Sequence, residues 1–126
     1  MRIADANFVL RYLLEDVIDE FETARRVLEN ETVFIPFEVV AEVVYVLQSV
    51  YEVPNPEIAG SLSSLLNYPN VSTSDREVAM YAMERVARSE LDIVDALLLG
   101  QSVLRDHEIL TFDRKLTRMI VQMKST

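Results

Sequence analysis

With 126 residues, half of them hydrophobic and only two Gly and four Pro, the chain reads as one domain, residues 1–126, with a sizeable core, and disorder is excluded. Cysteine is absent, which excludes a disulfide framework and a thiolate metal site and suits a reducing cytoplasm; no apolar run reaches the roughly 20 residues of a membrane span, and the acid at position five argues against a signal peptide. A net charge of −9 argues against a protein that simply coats phosphates, since such binders are usually basic, but permits a site that reaches an anionic substrate through bound cations.

In chain order, strands alternate with helices. Residues 2–4 read as a short strand and 7–14 as a short helix. Residues 16–30 have Val17, Ile18, Phe21, Ala24, Val27 and Leu28 at helical spacing. Val33, Phe34 and Ile35 form a second strand, ended by Pro36. The valines of 37–50 favour a strand, but Glu38, Glu42, Tyr45 and Ser49 share one face of a helix. Asn55 is expected to cap the next helix, with Pro56 in its first turn, to about residue 67. Residues 70–73 read as a weak third strand. Ser74 and Glu77 have capping-box spacing for a helix to about 89. Residues 92–104 make a very apolar helix, 109–111 a fourth strand, and Asp113 opens a last helix to about 121, after which the tail adds a short fifth strand. This alternation implies an α/β fold, a mostly parallel sheet with helices on both faces.

Charge is uneven along these elements. Residues 15–31 carry seven acids against two arginines, whereas Arg114, Lys115, Arg118 and Lys124 follow Asp113 without a further acid. A basic end beside an acidic body suits a polyanion or an acidic partner, and equally a solvated helix end.

The acids inside apolar surroundings are the candidate site. Asp5 and Asp113 each follow a strand and open a helix, so either can be an N-cap. In a parallel sheet both would lie at the carboxyl edge, where ligands bind. Glu42 sits mid-helix among Ala41, Val43, Val44, Val46 and Leu47, which argues against a plain surface position. Asp92 suits a cap, and Asp95 is the one charge in the helix that follows. Neither Glu42 nor Asp95 has an obvious basic partner nearby in sequence. Converging acids without such partners raise one another's pKa, and a divalent cation relieves the repulsion. Oxygen-only ligands suit Mg²⁺ or Mn²⁺. Other chemistries lack their parts: there is no Cys, His107 reads as a surface turn residue, and no nucleophile elbow or phosphate-binding glycine loop is present.

These stretches together resemble the PIN-domain ribonucleases, in particular the VapC-like toxins of VapBC toxin–antitoxin pairs. The matching segments are Asp5-Ala6-Asn7-Phe8-Val9-Leu10, then Ile35-Pro36 with Ala41-Glu42-Val43-Val44-Tyr45, then Leu91-Asp92-Ile93-Val94-Asp95-Ala96-Leu97, and Leu110-Thr111-Phe112-Asp113-Arg114-Lys115-Leu116. The resemblance implies a PIN-like three-layer fold with four to five strands ordered 3-2-1-4-5 and about seven helices. It implies a catalytic and metal-binding set of Asp5, Glu42, Asp95 and Asp113, with Asn7, Thr111 and Asp92 in support. It further implies Mg²⁺ or Mn²⁺, an RNA substrate, a VapB-like antitoxin as partner, and a homodimer. One position departs: Ala6 stands where the family commonly has Thr or Ser, so a supporting hydroxyl is missing. The competing expectation is a non-catalytic binding module whose acids are structural or only bind metal. A phosphoacceptor receiver domain ranks low, because neither Pro36 nor residues 70–73 supply the acceptor Asp.

Overall fold

A computed structural model describes residues 1–125 and contains seven helices and a small parallel sheet. Helix α1 (Ala6–Leu14) starts because the Asp5 carboxylate accepts from the Phe8 N–H at 2.9 Å, and it ends in left-handed backbone at Glu15. Helix α2 (Ile18–Asn30) begins two residues later than expected, since Asp16 pairs with Arg11 at 3.0 Å instead of capping. Strand β1 (Val33–Phe34) pairs in parallel with β2 (Val71–Ser72), and Ile3 forms an isolated parallel bridge to Phe34 on the other side. The spatial order 71–33–3 is therefore one half of the expected sheet.

Helix α3 (Phe37–Ser49) buries Val40, Val43, Val44 and Leu47. This packing overrides the strand preference of its valines. Its first N–H is capped from across the fold: Phe37 donates to Ser74 Oγ at 3.0 Å. Ser74 therefore does not cap the helix that follows it. Asp75 does so for α5 (Arg76–Ala87), accepting from the Val78 N–H. Pro54 precedes α4 (Asn55–Leu66) with no side-chain cap; Asn55 instead bonds Gln48 and Ser89, at 2.9 and 2.8 Å, tying α3 and α5 to α4. A bidentate Arg105–Asp75 pair joins the end of α6 (Ile93–Arg105) to the start of α5. Gly100 allows their close approach, because a Cβ there would lie 3.0 Å from Val78 Cγ1.

The core runs between these layers. Leu28, Ile35, Ile58, Leu62, Leu65, Leu66, Met83 and Leu99 are fully buried within it. Burying each side chain of this size stabilises by about 1.5–3 kcal/mol before entropy is counted.

The second half of the sheet does not form. Among the described residues, 107–112 contain no strand, and the Glu108–Phe112 backbone makes no hydrogen bond. The free edge of Ile3 stays open, and Ile3, Leu110 and Phe112 are exposed. The end of the chain is helical rather than a fifth strand: α7 (Arg114–Lys124) buries Leu116, and Lys124 pairs with Asp106 at 2.6 Å. That pair ties the end of α7 to the end of α6, and residues 106–109 line a cleft with Ser102 of α6 and Thr117 and Ile120 of α7. The last residue of the expected fifth strand, Thr126, lies outside the described residues.

Candidate functional site

Three of the acids singled out by sequence are helix caps in the structure. Asp5 caps α1, Asp92 caps α6 by accepting from the Asp95 N–H at 2.9 Å, and Asp113 caps α7 by accepting from the Leu116 N–H at 2.9 Å. A cap occupies one carboxylate oxygen and leaves the second for another partner. Thr111 supports the last of these, its Oγ1 accepting from the Asp113 N–H at 3.0 Å.

Asp95 is half-buried in the first turn of α6. Its pKa is raised, first by burial and then by the charges of Asp92 and Asp113, against which Lys115 acts in the opposite sense. The stretch after α6 thus returns Asp113 and Lys115 to within charge range of Asp95 at the start of that helix. Lys115 is the group that sequence reasoning missed. Asp95 does have a basic neighbour, twenty residues further along, and the signal was its place two residues after Asp113.

Neither Asp5 nor Glu42 is among the charges acting on Asp95. Asp5 is exposed beside the open edge of Ile3, in a cleft with Arg2, Phe8, Val27 and Val33. Arg2 is engaged by Glu31. Asn7 and Asp5 also line a groove between α1 and α2 that holds Asp19 and Glu20. Glu42 is exposed on α3, contrary to the expectation from its apolar neighbours in sequence. Those neighbours are interrupted by outward positions: Glu38, Glu42, Tyr45 and Ser49 form one solvent-facing stripe, so the helical face was right and its burial was not. His107 is exposed in the turn after α6, as expected.

The chemistry of the donors suits a hard divalent cation, which takes carboxylate oxygens. Their placement supplies a group around Asp95 but not a complete cage, since no three acids or histidines among the described residues lie close enough to hold a metal ion together.

A family model described as "PIN domain" matches residues 2–121, nearly the whole chain, and the chain belongs to that family. Membership gives it a nuclease-type fold, and the helices and small parallel sheet agree with that class. No curated protein and no solved structure matches it. Among the described residues, no helix is long and apolar enough to cross a membrane.

Proposed function

We propose that the protein is a metal-dependent endoribonuclease that hydrolyses RNA phosphodiester bonds, acting as the VapC-like toxin of a toxin–antitoxin pair in the cytoplasm. The observation that carries this reading is the half-buried Asp95 facing Asp92 and Asp113 within a PIN-family chain. Perturbed carboxylates of this kind gather where charge is to be handled. Asp95 and Asp113 would hold Mg²⁺ or Mn²⁺, with Asp5 and Glu42 completing the set. Bound metal supplies an activated water and offsets charge on the phosphate. The chain's own residues position that chemistry: Asp92 fixes the first turn of α6 that bears Asp95, Thr111 orients the backbone at Asp113, and Lys115 moderates the repulsion at Asp95. None of this needs a histidine base.

Were residues 109–111 to pair along the open edge of Ile3, the sheet would extend toward the order 3-2-1-4-5 and Asp113 would come beside Asp5, as adjacent parallel strands require. The partner would be a VapB-like antitoxin. A homodimer would cover apolar surface left on α3 and its end, where Tyr45 and Val50 are each about two-thirds exposed.

Calorimetric titration with Mn²⁺, followed by RNA cleavage with and without EDTA, tests the reading. Saturable binding that weakens in Asp95→Asn, and cleavage abolished by EDTA, are expected. A second reading rests on the capping roles of Asp5, Asp92 and Asp113: a non-catalytic module whose acids are structural. It requires no binding at millimolar Mn²⁺ and no cleavage.

A further inference from the structure

The chain is acidic, yet its uncommitted cations are concentrated at one place. Of its twelve Lys and Arg residues, Arg2, Arg11, Arg25, Arg85, Arg105 and Lys124 are in ion pairs. Arg76 spends its guanidinium on the carbonyls of Leu66 and Val71. Among the described residues, the side chains of Arg26, Arg88, Arg114, Lys115 and Arg118 enter no ion pair and no hydrogen bond. Three of these five stand in the first turn and a half of α7, a helix with no acid of its own.

The packing of α7 turns two of them outward together. Leu116 is buried, and Met119, Ile120 and Met123 are half-buried, which defines the inner stripe. Arg114 and Arg118 lie one turn apart on the opposite, exposed face. Lys115 lies within charge range of Asp95, so this basic face begins where the acidic site ends. The groove that Asp5 shares with Asp19 and Glu20 has one cation, Arg11, already engaged by Asp16, so it is acidic overall. A polyanion reaching the acids would be repelled there and attracted along α7.

We infer that Arg114 and Arg118 bind backbone phosphates of a single-stranded RNA and lay the strand along α7 toward Asp95 and Asp113. This deepens the nuclease reading and rests on it. It makes the two arginines positioning residues, which hold the strand without touching the reacting phosphate. Exposed guanidinium groups without carboxylate partners suit phosphate, and their contacts carry no sequence information.

The test is the affinity of the full chain for a fluorescein-labelled single-stranded RNA, read by anisotropy in EDTA over a series of salt concentrations. Arg114→Gln/Arg118→Gln is expected to weaken binding roughly tenfold, and to flatten the slope of log K against log salt by about 0.7 for each lost phosphate contact. Arg118→Lys should keep most of the affinity and the slope, because the contact is mainly charge. Arg26→Gln, an uncommitted cation on α2, should change neither. In cleavage assays with Mg²⁺, the double variant should raise KM more than it lowers kcat. Unchanged RNA affinity and salt slope in the double variant, with wild-type cleavage intact, overturns the inference and leaves the nuclease reading standing. Absence of Mg²⁺-dependent cleavage by the wild type overturns the nuclease reading instead. Loss of binding to polyglutamate with no change toward RNA overturns the inference in favour of an acidic protein partner.

Discussion

Ala6 illustrates how a single position changes meaning once its surroundings are known. By sequence it is the place where a family hydroxyl is missing, and restoring Thr looks like a route to higher activity. In the structure its side chain is 4% exposed at the start of α1. A larger, polar side chain there would have to displace packed neighbours. Overpacking of this kind costs about 1–3 kcal/mol. Ala6→Thr is therefore expected to lower the urea midpoint, and a variant as stable as the wild type would show that the space exists. Asp75 is a second residue whose role is measurable. Its pKa is lowered, mainly by the Arg105 guanidinium and further by the backbone N–H of Val78, with burial opposing. The unfolded carboxyl titrates near 3.8. A carboxylate held below that value contributes its stability fully above it and loses it as pH falls through the lowered, folded value. Wild type should be more stable than Asp75→Asn at neutral pH, and the gap should close in strong acid. A gap independent of pH would show that the Arg105 pair adds nothing.

The elements were legible in proportion to how local their causes are. All seven helices lie within three residues of their expected spans, because an apolar stripe fixes each, and at α1, α6 and α7 an adjacent Asp caps the start. The errors fall where a side chain bonds across the fold. Ser74 has capping-box spacing with Glu77, yet it caps α3 while Asp75 caps α5. Asn55 looks like a cap and instead links α3 to α5. Residues 109–111 have strand composition but form no strand among the described residues, because pairing depends on a distant sheet edge that composition does not report. Gly100 is what lets α5 and α6 approach closely. Gly100→Ala would bring a Cβ to 3.0 Å from Val78 Cγ1 and 3.3 Å from the Val78 carbonyl oxygen. Forcing α5 and α6 apart is expected to outweigh the gain of about 1 kcal/mol in helix propensity. Gly60, exposed in α4, has nothing within 4 Å of its absent Cβ. Gly60→Ala should therefore stabilise by about 1 kcal/mol. Thermal denaturation of the two variants checks both signs; a stabilised Gly100→Ala would mean that α5 yields easily.

At the level of the whole molecule, the fold class and the family were readable because four short motifs occur in the right order along nearly the entire chain. The site was less so. Sequence named Asp95 and Asp113 in one set, and Asp92 in support, but joined Asp113 to Asp5 through a sheet edge that this structure does not complete. It did not show that Glu42 is exposed, because the outward stripe of α3 interrupts its apolar neighbours. Nor could it find Lys115, whose proximity to Asp95 comes from the return of the chain along α6. What joins these observations is charge: a half-buried carboxyl among carboxylates, and unpaired arginines beside it. The most direct test is Mg²⁺-dependent cleavage of a single-stranded RNA by wild type, Asp95→Asn and Asp113→Asn, purified identically and assayed side by side. Cleavage by the wild type, reduced at least about a hundredfold in both variants, is the expected result. Equal cleavage by all three would assign the activity to a contaminant, and no cleavage by any of them would contradict the enzymatic role.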